Sequence, residues 1–435
     1  MFFSFHHKFL FHIGNFFNII ILVPHPDSIG NAAEEIYYAT LKARREKKKL
    51  AIIFVKKIPF FLDYLGFYDT NFFSLKSKYF LFSHNSFSQH LCGLFFSLYF
   101  VLARIINSLL SKFFKKKKSG YYWRPMAGND ILWRPNSKLS KFDIKKSKKQ
   151  NWSSQFQKHL DIDITEKSSL KCKKIIKDLG YEDREFVCIH VREGGYKDDH
   201  SSNLLNLNIS NFIKGIKEIC SRNILVFRLG DPSMKRLPKI DNLIDYSFAD
   251  YKSADMDNYL IKNCKFLICG PSGPYCSARF IHRKRTLFHN MFNVFDGPFS
   301  KGDIALIRPM YSKSKKRYLS IKEMMIYSKE LKSSWTGNDW IMKENNENEI
   351  YEAIKEMLDS EFSSPSTLQK KFRKNSLKVG LLLLNNLRFQ EEHLDNVNDK
   401  YRFASRIYWK GKISERFLKN NWERSSRNKH LHDIS

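Results

Sequence analysis

Four short apolar runs in the second half, residues 186–191, 224–229, 266–269 and 286–289, alternate with helical stretches at 209–220, 255–263 and 275–282. Another helical stretch near 170–179 precedes them. Apolar runs of this length, several with β-branched residues, read as buried strands. Strands that alternate with helices pair through crossovers, so the sequence predicts a parallel, doubly wound α/β sheet. That architecture restricts where chemistry can happen. In such sheets ligands bind beyond the carboxyl ends of the strands, where the strand order reverses.

Three of these strand ends carry groups suited to an anion. The first is His190-Val-Arg192, whose two polar residues share one side of an extended chain. Gly194 and Gly195 then allow a sharp turn, and Tyr196, Asp198 and Asp199 follow. Arg192 offers a planar fork suited to a phosphate or carboxylate. The second is Arg228-Leu-Gly230-Asp231, where a cation and a carboxylate bracket a turn glycine. The third is Gly270-Pro-Ser272-Gly273-Pro274, between a strand and a helix, where free backbone N–H groups and the Ser272 hydroxyl favour an anion. Each alone also reads as a turn or a local ion pair; together they predict one anion site at the switch point. In the acidic segment 245–259, Ser253 or Asp255 can cap a helix and Asp257 suits its first turn. An Asp there, with Asp255 foremost, is equally suited to a sugar or ribose hydroxyl. No metal site is expected: the spacings at Asp161-x-Asp163 and Asp255-x-Asp257 read as a linker edge and a helix cap.

The first half opens with a strand at 19–23, a loop containing His25, Gly30 and Asn31, a helix at 32–47 and a strand at 50–55. This is a βαβ pattern and predicts a Rossmann-like unit. The dinucleotide fingerprint is absent. Residues 91–113 place apolar side chains at helical spacing and are followed at once by Lys115–Lys118. That pattern fits a helix in an anionic membrane interface, a buried core helix, or a span, against which Arg104 argues. The expected organisation is a first domain at 1–137, a basic linker at 138–165, a second domain at 166–362 and a basic helical tail at 363–435 that packs back on the first half.

Charge narrows the partners. The chain of 435 residues has 75 Lys and Arg against 44 Asp and Glu, a net +31. Such an excess points to an anionic partner. No nucleic-acid module is recognisable, so nucleic acid is not expected. Seven cysteines lack metal-ligand spacing and are scattered in apolar contexts, as free thiols of a reducing cytoplasm are. Residues 1–23 lack the basic start and small-residue cleavage site of a signal peptide.

The stretch from Phe186 to Met291 resembles a family of bacterial glycosyltransferases from surface-polysaccharide gene clusters of O-antigen and capsule type. Asp245-Tyr, Ser253-x-Asp255-Met-Asp257-x-Tyr-Leu260 and Cys264-Lys-Phe266 carry most of the likeness, with Ile29-Gly30, Glu35 and Ile413-Ser-x-x-Phe-Leu418 adding to it. His190-x-Arg192 is more distantly similar to a motif of fucosyltransferase-type GT-B enzymes. The resemblance implies two Rossmann-like domains facing a cleft, a nucleotide-diphosphate sugar held by the second, and metal-independent transfer without a cofactor. It implies a glycan or lipid-linked acceptor and a cytoplasmic place on the inner membrane face. The expected donor-binding residues are Arg192, Tyr196, Arg228, Gly230, Asp255, Gly270, Ser272 and Gly273. His190, Asp198 and Glu35 are the catalytic candidates, and His25, Gly30 and Asn31 lie on the acceptor side. The other reading is a non-catalytic binding or scaffold protein of the same fold. Asn31 and Leu207 motivate it, standing where the family pattern has a His and an Arg.

Overall fold

The computed structural model describes residues 14, 16–22, 24, 29–54, 74–81, 91–92, 94–95, 98, 160–194, 204–295, 297–298, 300–327, 339–359, 363–386, 407 and 409–423. In the first half, strand β1 (Ile19–Leu22), helix α1 (Ile29–Glu46) and strand β2 (Lys49–Ile52) form the expected βαβ unit, with β1 and β2 parallel. Ala32, Ala33, Ile36, Tyr37 and Ala43 give α1 a buried apolar stripe. Strand β3 (Leu75–Lys76) pairs antiparallel with β4 (Asp163–Ile164). The end of the expected linker is therefore a strand. Ile162 and Ile164 alternate with Asp161 and Asp163, and that period of two buries one face.

Helix α2 (Glu166–Asp178) leads into the large sheet. It contains β5 (Phe186–His190), β6 (Leu225–Leu229), β7 (Leu243–Ile244), β8 (Leu267–Cys269), β9 (Thr286–Met291) and β10 (Ile304–Ile307). Helix α3 (Ile213–Ser221) connects β5 to β6, and α4 (Ala254–Asn263) connects β7 to β8. A four-residue helix, α5 (Gly273–Cys276), runs on into a π-helical segment, Ser277–His282, before β9. Beyond β10, a small antiparallel sheet joins β11 (Met310–Ser312) to β12 (Arg317–Tyr318) and β13 (Trp340–Met342). Helices α6 (Ile321–Tyr327), α7 (Glu347–Asp359) and α8 (Thr367–Asn386) precede β14 (Lys412–Ile413) and α9 (Glu415–Asn421).

Spatial order in the large sheet is β14–β10–β9–β8–β5–β6–β7, every pairing parallel. The chain leaves β5 toward β6 and β7, then crosses to place β8 on the other side of β5. The order therefore reverses between β5 and β8. The described part of the tail supplies β14, the outermost strand, and Trp409, Ile413, Phe417 and Leu418 join the core of the large sheet. The reason is an edge: Ile304 and Ala305 of β10 present a free strand edge, and Lys412 and Ile413 pair with it.

The two halves meet through α1. Gly30 lies against Gly273: a Cβ on Gly30 would come 3.5 Å from the Gly273 Cα, and one on Gly273 would come 3.2 Å from the Ile29 Cβ. Tyr37 packs on Phe280, with ring centroids 5.5 Å apart. Tyr259 and Cys276 pack against both hydrophobic cores. Of the 91–113 segment, Leu91, Leu94, Phe95 and Leu98 are exposed, and most of its other residues lie outside the described ones. Among the described residues, no helix is long and apolar enough to cross a membrane.

Tail docking depends on Gly297, where a Cβ would lie 2.2 Å from the Trp409 ring. Gly297→Ala should therefore cost about 1–3 kcal/mol by overpacking. Urea unfolding checks this, and unchanged stability would mean that Trp409 moves aside freely.

Candidate functional site

The carboxyl edge of the large sheet gathers polar residues at the switch point. His190 closes β5, and its Nδ1 lies 3.2 Å from the Ser272 Oγ, in the loop after β8. That hydroxyl also donates to the Gly270 carbonyl at 3.2 Å, so it serves the crevice rather than capping α5. Burial lowers the His190 pKa to about 4; Asp231 opposes the shift, while Arg192, Lys252 and Arg228 add to it. The ring is thus neutral at physiological pH and exchanges a hydrogen bond with Ser272. Arg192 stands close enough for its charge to act on this ring, and its carbonyl accepts from the Leu207 N–H at 2.8 Å.

Arg228 is placed differently from expectation. Its side chain is 0% exposed, so it is not open to a donor phosphate. Nη2 donates to Glu193 at 2.6 Å, and Nη1 to Asp245 at 3.0 Å and to the Lys235 carbonyl at 2.6 Å. The partner is therefore not the neighbouring Asp231, which accepts from the Ser233 N–H at 2.9 Å and turns the loop. Asp245 also accepts from the Leu237 N–H at 3.1 Å, so it is committed to this cluster rather than to a sugar. Gly230 has φ +152°, and a Cβ there would lie 2.1 Å from the Met234 sulfur. Its role is steric.

Other expected residues fall elsewhere. Asp255 lies in the first turn of α4, where its charge acts on the Cys172 thiol of α2; Ser253 caps the helix by accepting from the Met256 N–H at 3.2 Å. Asp257 pairs with Lys252 at 3.2 Å and Asp163 with Lys262 at 2.6 Å. Glu35 is buried within α1, and Gly30 and Gly273 are occupied with each other. His25, Tyr196 and Asp198 lie outside the described residues, as does the side chain of Asn31. Among the described residues, no three His, Cys, Asp or Glu side chains gather as metal ligands do.

Three residues at this edge escaped the sequence reading. His289, in β9, is buried against Gly270, where a Cβ would lie 2.8 Å from its Cε1. Phe212 meets its ring edge-on at 4.6 Å, and burial holds its pKa at about 3. Asn290 follows with φ +54°, and exchanges hydrogen bonds with Asn345: Asn290 N–H to Oδ1 at 3.0 Å and Asn345 N–H to Oδ1 at 2.8 Å. Arg308 leaves β10 only 3% exposed, and its Nε finds no hydrogen-bond partner among the described residues. Burial lowers its pKa to about 10, partly offset by Glu344. Sequence offered one usable signal for these, namely that 286–289 ends a predicted strand with a histidine.

No protein-family model matches the sequence, and no curated protein matches it. Among solved structures, the crystal structure of a glycosyl transferase family 9 protein from Veillonella parvula is similar, with a TM-score of 0.32 and 12% identity over 65% of this chain and 81% of that one. A likeness at this level leaves the function to the site itself.

Two outcomes follow from the geometry. Asp245→Ala leaves a buried guanidinium half-compensated and should cost about 3–5 kcal/mol of stability; a loss under 1 kcal/mol by urea unfolding would show the cluster to be dispensable. His190, unlike an unfolded histidine near 6.5, stays neutral to about pH 4. The unfolded chain then binds the extra proton, so this residue's contribution is complete above 6.5 and fades as pH falls toward 4. Nitrogen-15 NMR of the imidazole reads the titration, and a midpoint near 6.5 would contradict the burial argument.

Proposed function

We propose that the chain transfers a sugar from a nucleotide-diphosphate donor to a surface-glycan or lipid-linked acceptor, as a glycosyltransferase. The observation that carries this reading is the His190–Ser272 contact beside Arg192 at the switch point of a parallel sheet. The resemblance along 186–291 supports the same chemistry.

In this reading Arg192 neutralises the leaving diphosphate, with Ser272 and the Gly270 backbone beside it. The charge is met by protein groups, without a metal ion or cofactor. Arg308, the buried cation at the same edge, is a second candidate for that role. Arg228 becomes a positioning residue, holding Glu193 and hence the loop that carries Arg192. Gly230 and Gly273 shape the backbone, while Tyr196 and Asp255 are assigned to the outer part of the donor. A neutral His190 suits hydrogen bonding to a phosphate or to Ser272 better than proton abstraction near neutrality. Asp198 and Glu35 are then the base candidates, with His25, Gly30 and Asn31 on the acceptor side.

The first half would face the second across this edge in a GT-B arrangement. The exposed Leu91, Leu94, Phe95 and Leu98 would hold the enzyme against the inner face of an anionic membrane. Anionic vesicles should then release a variant carrying Leu94→Glu and Phe95→Glu, and equal retention would count against the membrane assignment.

Thermal-shift titration with UDP, GDP, CDP and their sugars tests the donor site. One nucleotide class should stabilise the protein, and Arg192→Ala should weaken its binding about 10- to 100-fold, the value of a charge-assisted hydrogen bond. The proposal falls if no nucleoside diphosphate binds, or if Arg192→Ala binds as the parent does. Binding without transfer to any glycan would identify a scaffold of the same fold.

A further inference from the structure

Helix α8 runs for 20 residues without a single Asp or Glu, and its four lysines fall on one side. Phe372, Ser376 and Val379 are buried, so the helical period turns the opposite face to solvent. That face carries Lys370, Lys371, Lys374 and Lys378, all exposed, in a row about 12 Å long at about 1.5 Å per residue. Leu382, one turn beyond Lys378 on the same side, is 43% exposed. The helix packs against α9 and β14, so this face lies at the β14 edge of the large sheet, four strands from β5.

Most of the row is not neutralised. Among the described residues, the side chains of Lys370, Lys374 and Lys378 make no ion pair or hydrogen bond. Lys371 differs: its Nζ lies 5.4 Å from the centroid of the Trp422 ring, and its charge acts on Glu423. Glu423 already accepts from Lys322 of α6 at 2.6 Å, and that bond above all holds its carboxyl below the ordinary range. Other acids of the neighbouring helices are engaged as well. Glu323 pairs with Arg317 at 2.7 Å and Lys315 at 2.9 Å, Glu415 with Lys419 at 3.0 Å, and Glu352 with Arg416 at 3.1 Å. Helix α6 packs beside α8, and Ile326, one turn beyond Lys322 on the same side of α6, is 55% exposed. The surface thus combines three uncommitted ammonium groups with two exposed apolar side chains.

Like charges in a row repel one another, and an anionic surface relieves the repulsion. We propose that the exposed face of α8, with Leu382 and the neighbouring Ile326, docks onto an anionic lipid bilayer. A bilayer satisfies both halves of the pattern. Its headgroups attract the lysines, each of which adds to the binding. Its boundary between headgroups and acyl chains takes up the exposed Ile and Leu side chains. A polyanion in solution would use the lysines and leave the apolar side chains in water. The lysine stems are long enough to keep their charges at the headgroups while the helix lies flat on the surface. This inference rests neither on the donor chemistry nor on residues 91–98.

Co-sedimentation of the full chain with vesicles reads the docking, using phosphatidylcholine alone or mixed with phosphatidylglycerol. The parent should bind the mixed vesicles only, and less tightly as salt rises. Lys370→Gln/Lys374→Gln/Lys378→Gln should lower the partition coefficient about 100-fold. Ile326→Gln/Leu382→Gln should lower it about tenfold while leaving binding to heparin, a soluble polyanion, unchanged. The control Lys167→Gln/Lys171→Gln/Lys174→Gln, on the exposed face of α2, removes the same charge and should bind within about threefold of the parent. Every substituted side chain is exposed, and an unchanged thermal midpoint shows that each variant is folded. The proposal is overturned if the parent does not bind the mixed vesicles, if the α8 and α2 lysine variants lose binding equally, or if the apolar variant binds the vesicles as the parent does. If Leu94→Glu/Phe95→Glu releases the protein while the α8 lysine variant stays bound, the assignment of 91–98 stands and this one falls.

Discussion

A buried positive charge organises the carboxyl edge of this sheet. Arg228 lies wholly inside the protein, and the cost of removing a guanidinium from water is met only because two carboxylates and a carbonyl converge on it. Those partners belong to three different connections. Glu193 sits in the loop leaving β5, Lys235 in the loop leaving β6, and Asp245 just after β7. One side chain thereby ties together the segments that surround the switch point. Arg192, adjacent to Glu193, inherits its position from this cluster.

The exclusion of water sets the chemistry of His190. Desolvation above all leaves its ring without a proton near neutrality; Asp231 acts against this, and Arg192, Lys252 and Arg228 act with it. A neutral ring can share a hydrogen bond with Ser272, which a protonated one would do only as a donor. Gly270 allows this packing, because any side chain there would strike His289. The edge is thus built from small residues where rings and loops cross, and from buried cations whose partners come from neighbouring loops.

Much of this was legible in advance. The four apolar runs at 186–191, 224–229, 266–269 and 286–289 all became strands, and the alternation with helices correctly implied parallel pairing. The Ser253 cap formed as its side-chain chemistry requires, and Cys188, Cys264 and Cys269 are buried free thiols. His190 and Ser272 were both singled out, and they meet. Arg228 was misread as a ligand because a strand-end arginine followed by Gly-Asp looks the same whether it faces a crevice or a buried Glu and Asp. Its true partners lie 35 and 17 positions away. His289 and Arg308 went unread because nothing local distinguishes a histidine or arginine at a strand end from a solvated one.

Local sequence was enough for the βαβ unit and for most strands and helices of the large sheet, because periodicity, β-branching and capping act over a few residues at a time. It also placed the ends of β5, β6, β8 and β9 to within two residues, and so where an anion site could lie. The partnering of carboxylates with cations, the packing of Gly30 against Gly273 and the closing of the sheet by β14 were settled only in three dimensions. Those outcomes depend on strand order and on the exclusion of water, neither of which is a property of any short stretch of chain. The burial that leaves His190 neutral arises for the same reason.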